Sequence, residues 1–482
     1  MITAIELENF KGFGSATRIP MRPITLLFGG NSSGKSSIFH ALQYAYEILE
    51  NHNFDADITE RGSDKLNLGG YMHMVHNRVL GTDIRLAFDL DLSEQEIPSF
   101  DAPPGLELDG LVSIAKVELL IGWDAAEQRP YAKKYSVYVD DIFAAEFDQS
   151  TGQKYGTFIN YNIDHPLTTK VWDKEYLDQW EEWVPVQAAG LRTAIPEWGR
   201  RLQLEVGTGD ELLDGGDYVL SQVLVGIGEL FLNYLRRLRH IGPIRQVIPR
   251  HYEGNRSRSK GGWYDGTAAW DYLLHHSDEW DQKRISAWLE EEEFLNTGYG
   301  IKVLEGFNPN QHYLEDLNKN PFFRDILLRR TVRLVSKDTK HHFSLQDVGV
   351  GLSQLIPVVI AALLRSTKIL CVEQPELHVH PAVQVGLGDL FASQALERDC
   401  LFLIETHSEH LVLRLLRRIR QAAEGELPDG APRITPDDIS IVYIENSMDE
   451  AKVTSIGIDQ EGEFTSRWPH GFFGERAEEL FS

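Results

Sequence analysis

Two contrasting hydrophobic patterns open the chain. In the stretch MITAIELENFKGFG, apolar and acidic residues alternate at positions 5–8, which predicts a strand with one face in water. The run ITLLFGG at positions 24–30 is apolar without alternation, as in a strand that is buried on both faces. Apolar residues between positions 38 and 48 then recur at helical spacing. We therefore expect the N-terminal segment to fold as strand, glycine-rich loop and helix.

The same patterns divide the rest of the chain. Short strand-like runs such as IRLAFDLDL and KYSVYVDD, between positions 83 and 148, predict an antiparallel layer. A stretch rich in Trp and Leu at 167–295 is typical of helices. The runs KILCVEQ and CLFLIETHS are short apolar strands that end in polar residues, as in a parallel sheet. We predict one mixed α/β head interrupted by a large, mostly helical insertion, with segments 1–150, 151–325 and 326–482.

Composition narrows the class of protein. The 482 residues are 42% hydrophobic, which is enough for a substantial core and more than one lobe. No basic and apolar leader opens the sequence, and the longest apolar run, 356–364, is too short to span a bilayer. Cys371 and Cys400 lie in apolar runs, so we expect them to pack in the core rather than form a disulfide. A cytoplasmic chain without a membrane segment is the expectation.

The stretch GGNSSGKSS has the spacing of a phosphate-binding loop and stands between the predicted strand and helix. Glycines let backbone N–H groups approach a phosphate chain, Lys35 neutralises the β and γ oxygens, and Ser36 can bind Mg²⁺. A chance Gly/Ser turn is the alternative, and the flanking elements argue against it. The predicted nucleotide contacts in this loop are Gly29, Asn31, Ser33, Gly34, Lys35, Ser36 and Ser37.

Two later strands are expected to end at the same site. Glu373 ends the strand KILCVE and would face the Mg²⁺ bound by Ser36. His407 follows the strand CLFLIE. Open α/β sheets bind ligands at the carboxyl ends of their strands, so these residues are expected to meet the phosphate loop.

The turn after Glu373 offers a competing metal site. Glu376, His378 and His380 form an E-x-H-x-H pattern with ligands at close spacing. Prolines on either side mark the segment as a fixed turn, and no second ligand cluster is evident. A metal site at this turn is the less favoured interpretation.

A further helix is predicted in the stretch DVGVGLSQLIPVV, beginning near Ser353. Gly349 and Gly351 loosen the backbone before it, and Pro357 is tolerated near a helix start. A helix N-terminus that carries an exposed serine can hold an anion. An ordinary capped core helix is the other interpretation, because the residues at 355–364 are very apolar.

One basic run stands out in an otherwise acidic chain. The formal net charge is −26, so any DNA contact must be local. Eight Lys and Arg residues stand with one acid between Arg236 and Lys260. They are candidate contacts for DNA phosphates, or for ATP through Arg245. A solvated helix face and loop is an equally good interpretation.

Together these segments resemble the ABC-type ATPase heads of the SMC/RecF superfamily, and most closely the OLD-like AAA ATPases of bacterial anti-phage systems. The resemblance rests on ENFKGFG, the phosphate loop, GVGLSQ, VEQPELHVHP and ETHS, with HIGPIR and WPHGFFGE as further segments. It implies an ABC-type P-loop head that binds ATP and Mg²⁺, with Ser36 and Glu373 at the metal. It also implies that ATP lies between two heads, where Ser353 of one acts on the γ-phosphate of the other, and that His407 is the switch histidine.

The resemblance also bears on the rate of hydrolysis. In the related heads a glutamate stands where this chain has Gln374, and it polarises the attacking water. Slow hydrolysis is therefore implied, and it stays open whether Glu376 substitutes as the base. The Q-loop glutamine of such heads has no clear counterpart, and YMHMVHNR at 71–78 is the candidate region.

Three functions stay open at this stage. The leading one is a sensor subunit of an anti-phage complex, similar to the ATPase subunits of PARIS or Septu systems, that forms a homodimer or higher oligomer. It would control a separate HNH or TOPRIM-like nuclease, because the 75 residues after His407 are too few for a TOPRIM domain. The alternative is a RecF-like ATPase of DNA repair or maintenance. The third is a nucleotide-stabilised scaffold with negligible turnover.

Overall fold

The structure is a computed structural model of the chain. It describes residues 1–57, 67–149, 157–171, 186–188, 191, 193–206, 215–256, 262–307, 328–447 and 450–469. The strands are β1 (Ile2–Glu8), β2 (Thr17–Pro20), β3 (Ile24–Gly29), β4 (Ile84–Asp91), β5 (Ile114–Asp124), β6 (Arg129–Val139), β7 (Ile142–Asp148), β8 (Thr157–Tyr161), β9 (Val186–Ala188), β10 (Leu204–Val206), β11 (Leu238–Ile241), β12 (Tyr299–Phe307), β13 (Leu328–Ser336), β14 (His342–Phe343), β15 (Ile369–Glu373), β16 (Leu401–Glu405), β17 (Ile439–Ser447) and β18 (Glu450–Ile456).

The helices are interspersed among these strands. They are α1 (Lys35–Asn51), α2 (Tyr71–Met74), α3 (Pro166–Val171), α4 (Gly216–Leu220), α5 (Ile227–Arg236), α6 (Thr267–His275), α7 (Glu279–Glu290), α8 (Val350–Leu363), α9 (Pro381–Arg398) and α10 (Glu409–Glu424). A π-helical turn at Ser221–Gly226 joins α4 to α5.

An antiparallel sheet forms one layer of the head. In the described residues it has nine strands in the order β10-β9-β8-β7-β6-β5-β4-β1-β2. In β1 the apolar Ile5 and Leu7 are buried and the intervening glutamates are half-buried, as the alternation predicts. The antiparallel layer predicted between 83 and 148 is confirmed by β4 to β7.

A mainly parallel sheet forms the second layer and carries the chemistry. Its order across the described chain is β11-β15-β16-β3-β17-β18, and only β18 runs antiparallel to its neighbour. Every residue of β3, β15 and β16 is buried. Leu27 of β3 faces the core shared with α1 and the antiparallel sheet, while Leu26 and Phe28 face the core shared with α8, α9 and α10. Burial on both faces explains the unbroken apolar runs.

The middle segment of the chain contributes strands to both of these sheets. It is helical at α4 to α7, as predicted, but β8 to β10 extend the antiparallel sheet and β11 pairs with β15. The mixed α/β fold class is confirmed, and the boundaries at 150 and 325 stay predictions. Both cysteines are free and buried, as expected of core residues.

One described helical segment, Gly216–Arg236, is long and apolar enough to cross a bilayer by length and composition alone. Its most apolar window is 78% buried inside the protein. The core helix of a soluble domain passes the same test, so the segment is weak support for a membrane span.

The C-terminal segment WPHGFFGE is described only in part. Trp468 packs edge-on against Phe28, Tyr443 and Phe464. The residues of this segment from 470 onward lie outside the described part of the chain.

A buried ion cluster joins α9 to α10. Asp389 accepts hydrogen bonds from Arg414 at 2.9 and 2.6 Å and from Arg418 at 2.8 Å. Burial alone would raise the pKa of Asp389, but the hydrogen bonds from Arg418 and Arg414 hold it below its usual value. The stabilisation is therefore complete above the ordinary aspartate pKa of about 3.9 and is lost as pH falls below it.

We expect Asp389→Ala to lower the free energy of unfolding by about 3–5 kcal/mol, because it leaves the buried Arg418 and the partly buried Arg414 without their carboxylate. Urea denaturation at neutral pH measures the loss. Glu397→Ala on the same helix, whose side chain is 59% exposed, is the control and should cost less than about 0.5 kcal/mol. Equal losses in the two variants would show that the cluster does not stabilise the fold.

Candidate nucleotide site

Three neighbouring strands end at one edge of the parallel sheet. β3 ends at Gly29, β16 at Glu405 and β15 at Glu373, and the three pair side by side. Because parallel strands share a direction, their carboxyl ends meet at the same edge, where open α/β sheets bind ligands. The predicted convergence of the phosphate loop with Glu373 is confirmed at the level of the backbone.

The loop between β3 and α1 requires its glycines. Gly29 has a φ of +139°, and a Cβ there would lie 1.9 Å from the carbonyl oxygen of Ile444. Gly34 has a φ of +107° and begins α1 without a side-chain cap. Left-handed backbone favours glycine, and an uncapped helix N-terminus leaves N–H groups available to a ligand.

The loop fits a phosphate chain. The hydroxyl of Ser33 is buried and has no hydrogen-bond partner among the described residues. Asn31 is exposed at the tip of the loop, and Ser37 is buried behind it. A helix N-terminus with open N–H groups and a buried, unused hydroxyl is suited to an anion.

Lys35 lies within the loop that it is predicted to serve. Its ammonium group donates to the carbonyl oxygens of Gly29 at 3.0 Å and Gly30 at 2.7 Å. It also lies 3.6 Å from Glu405. The side chain is only 3% exposed, so its charge acts at short range on whatever occupies the loop.

Glu405 is the acid that sequence reasoning missed. It accepts a hydrogen bond from the hydroxyl of Ser36 at 3.1 Å and is in register with Glu373 on the next strand. Burial raises the pKa of Glu405, Lys35 opposes that shift, and Glu373 adds to it. Its position at the end of CLFLIE, equivalent to Glu373 at the end of KILCVE, is the signal that could have identified it.

Glu373 lies beside Glu405, but its side chain points toward β11 at the edge of the sheet. Its Oε1 lies 2.8 Å from Nε2 of His240, a buried residue of β11. In the structure Glu405, and not Glu373, contacts Ser36. The role of Glu373 as a metal ligand stays a prediction.

Gln374 stands in a constrained turn directly after β15. Its φ is +45°, which is unusual for a residue with a side chain. Its N–H donates to the carbonyl oxygen of Glu405 at 2.7 Å, and its own carbonyl accepts from Arg245 at 3.3 Å. The backbone at this position is therefore fixed from two sides.

Glu376 holds the loop that carries His407. Its carboxylate accepts from the hydroxyl of Thr406 at 2.8 Å and from the N–H of His407 at 2.7 Å. Partial burial and then the charge of Lys35 lower the pKa of His407, while Glu376 opposes them. His380 instead caps α9, accepting from the N–H of Ala382 at 3.2 Å.

Ser353 requires a correction. The helix begins at Val350 and not near Ser353, which is one turn inside it and only 1% exposed. Its hydroxyl donates to the carbonyl oxygen of Val350 at 2.7 Å, as hydroxyls inside helices commonly do. The expected exposed serine is therefore absent from the helix start, where Gly349 precedes a half-exposed Val350.

Three cations of the basic run from Arg236 to Lys260 are paired with acids or buried within the protein. Arg236 pairs with Glu50 at 2.8 Å, Arg250 pairs with Asp347, and Arg245 is buried. Arg258 and Lys260 lie outside the described residues. DNA contact through the other cations of this run stays a prediction.

Residues 1–165 and 282–412 match the protein family described as AAA ATPase domain, and residues 434–482 match the one described as protein of unknown function (DUF3696). Arcadin-4 of Pyrobaculum calidifontis is 36% identical over 67 residues, a match that spans 13% of this chain and 8% of Arcadin-4.

Solved structures of SMC heads are also similar. One is an SMC head bound to the C-winged helix domain of ScpA, with a TM-score of 0.45, 11% identity, and coverage of 95% of this chain and 98% of that one. The SMC head domain of Thermotoga maritima has a TM-score of 0.40, 9% identity, and coverage of 95% and 99%. An Smc head with an extended coiled coil, bound to the C-terminal domain of ScpA derived from Pyrococcus furiosus, has a TM-score of 0.41, 11% identity, and coverage of 95% and 96%.

The match to the AAA ATPase domain family shows which family the chain belongs to. It covers more than half of the chain and contains the phosphate loop, Glu373 and Glu405. The chain belongs to the AAA ATPase domain family, which agrees with the ATPase head that its motifs predict.

Proposed function

We propose that the chain binds ATP with Mg²⁺ at the ends of β3, β15 and β16 and hydrolyses it slowly. The observation that carries this proposal is the meeting of Lys35, Ser36 and Glu405 beneath the phosphate loop. Membership of an ATPase-domain family supports it. The test is single-turnover hydrolysis of radiolabelled ATP, for which we expect slow, Mg²⁺-dependent release of phosphate. A folded chain that retains no ATP would contradict the proposal.

Each group at the site has a task in this proposal. The open N–H groups at the start of α1 and the ammonium of Lys35 would bind the phosphate oxygens. The oxygens of Ser36 and Glu405, with Glu373 beside them, would hold Mg²⁺, a cation that prefers oxygen ligands. When bound, Mg²⁺ supplies positive charge against the phosphates. When ATP binds, the ammonium group of Lys35 would donate hydrogen bonds to phosphate oxygens instead of to the carbonyl oxygens of the loop.

We attribute slow turnover to the residues of the turn that follows β15. Gln374 can orient a water through its amide oxygen but cannot accept a proton from it. The carboxylate of Glu376 can accept a proton, but its two oxygens already accept hydrogen bonds from the Thr406 hydroxyl and the His407 N–H. Phosphoryl transfer depends mainly on positioning and charge stabilisation, so some hydrolysis is expected without a strong base.

We further propose that two copies close on ATP through the first turn of α8. Val350 at the helix start is 51% exposed, and the nearby Ile244 and Val247 are 76% and 43% exposed. The groups that meet the partner's γ-phosphate would be the backbone N–H groups of this turn, because the Ser353 hydroxyl is buried and already bonded. Exposed apolar side chains beside an open helix N-terminus suit contact with a second head.

Val350→Glu is expected to weaken ATP-dependent self-association by at least about tenfold, because a carboxylate would face the partner's phosphates and like charges at an interface cost several kcal/mol. The fold should persist, since an acid at a helix N-terminus is favourable. Light scattering with and without ATP measures association. Leu413→Glu replaces a comparably exposed residue, 45%, on α10 and is the control. Undiminished association of Val350→Glu would remove α8 from the contact.

The cellular role is proposed at two levels. The family match supports an ATPase, which both cellular roles require. The sensor role in an anti-phage complex, with a separate nuclease as partner, stays a prediction. ATP-dependent, salt-sensitive DNA binding would favour the SMC/RecF-like role. Co-purification with a nuclease encoded by a neighbouring gene would favour the sensor role.

A further inference from the structure

The segment that follows β11 has an inner and an outer side. Along residues 244–248, Ile244 and Val247 are exposed, whereas Arg245 and Ile248 are 2% and 5% exposed. The segment runs beside α8, to which Arg245 is joined by hydrogen bonds with Gln354. An arginine on the inner side of a surface segment is unusual, because arginine is rarely fully buried unless its charge is compensated.

Arg245 reaches the backbone at the end of β15. One guanidinium nitrogen donates to the carbonyl oxygen of Glu373 at 2.5 Å, and another to that of Gln374 at 3.3 Å. Burial lowers the pKa of Arg245 to about 10, and the nearby Glu376 and Glu373 oppose that shift. A buried cation therefore spans the two residues on which hydrolysis is proposed to depend.

This contact supports a backbone that is otherwise unfavourable. Gln374 has a φ of +45°, a left-handed conformation that residues with a side chain seldom adopt. Such conformations persist where the surrounding structure fixes them. The carbonyl contact from Arg245 on one side and the bond from the Gln374 N–H to Glu405 on the other provide that constraint.

Gln354 in turn fixes Arg245. The side-chain oxygen of Gln354 accepts from the N–H of Arg245 at 2.9 Å, and its amide nitrogen donates to the carbonyl oxygen of Arg245 at 2.6 Å. Gln354 is on α8, one turn beyond the exposed Val350. Two hydrogen bonds therefore connect α8 to Arg245, and two more connect Arg245 to Glu373 and Gln374.

We propose that Arg245 is a positioning residue for ATP hydrolysis, which holds Glu373 and Gln374 in place and is itself held by Gln354 of α8. The inference rests on the proposed ATPase function. It also assigns a role to the segment HIGPIR, because Arg245 of this segment contacts the end of β15 from the edge of the sheet. A displacement of the first turn of α8, where a second head would dock, reaches Gln374 through these four hydrogen bonds.

The test separates rate from affinity. Arg245→Lys keeps a cation but cannot donate to both carbonyls in the planar geometry of a guanidinium. We expect kcat to fall about 10- to 100-fold, because small displacements of reacting groups have effects of that order, while the Kd for ATP stays within twofold. Arg250→Lys, on the same segment but exposed, is the control and should leave kcat unchanged.

Two further variants keep the inference testable if Arg245→Lys is unstable. Methylguanidine should restore part of the kcat of Arg245→Ala, and methylammonium at the same concentration should not. Gln354→Met should lower kcat, and its effect should not add to that of Arg245→Lys, since both break one connection. A kcat for Arg245→Lys equal to wild type, or a kcat that falls only in proportion to ATP affinity, would overturn the inference. A wild-type chain that binds no ATP would instead refute the proposed function.

Discussion

Replacing Lys35 by alanine is expected to abolish the retention of ATP. The ammonium group is buried in the loop, where it donates to the carbonyl oxygens of Gly29 and Gly30. Several phosphate charges would meet this one side-chain cation of the loop. Truncating one member of a buried charge contact costs about 2–5 kcal/mol, which corresponds to a rise in Kd of about 30-fold to several thousandfold.

Equilibrium dialysis with ATP and Mg²⁺ measures this loss. Lys283→Ala on α7, whose side chain is 74% exposed, removes the same charge from the chain and should leave the Kd unchanged. Melting temperatures of both variants should be recorded, because Glu405 loses its nearest cation in Lys35→Ala. Wild-type affinity in a folded Lys35→Ala chain would remove the assignment of the phosphate loop.

Much of the fold could be predicted from the sequence, because local pattern and burial coincide in these elements. β3 is apolar without alternation since it is buried on both faces, and β1 alternates since one face is wet. The phosphate loop could be located because a left-handed Gly34 and an uncapped helix need particular residues at fixed spacing. In each case the signal lies within about twenty consecutive residues.

The parts that could not be predicted depend on side-chain direction and on pairing between distant segments. Glu405 and Glu373 end adjacent strands in register, but only the structure shows that the first contacts Ser36 and the second contacts His240. The sequence predicts a helix that begins near Ser353, but the helix begins three residues earlier, at Val350, so the Ser353 hydroxyl lies inside it and donates to the carbonyl oxygen of Val350. Arg245 belongs to a basic run in the sequence, and only the structure shows that it is buried.

A carboxylate at position 374, directly after β15, should accelerate hydrolysis. We expect Gln374→Glu to raise the single-turnover rate by about 10²- to 10⁴-fold, the contribution typical of a positioned general base. The backbone should not move, because Gln and Glu have the same shape and the left-handed turn is held by the bonds of Gln374 to Glu405 and Arg245. ATP affinity is expected to change little, since the phosphate loop and Lys35 are untouched.

Glu376→Gln provides the matched comparison, because it removes the other carboxylate of the same turn. Glutamine can still accept from the N–H of His407, and the hydroxyl of Thr406 can turn to accept from the new amide, so we expect less than a tenfold change in rate. A fast wild type that collapses in Glu376→Gln would make Glu376 the base and refute the attenuated site. A slow wild type that is accelerated only by Gln374→Glu would indicate a head suited to a long-lived ATP-bound state. In an enzyme that lacks its general base, the chemical step and not product release limits turnover, so ATP stays bound.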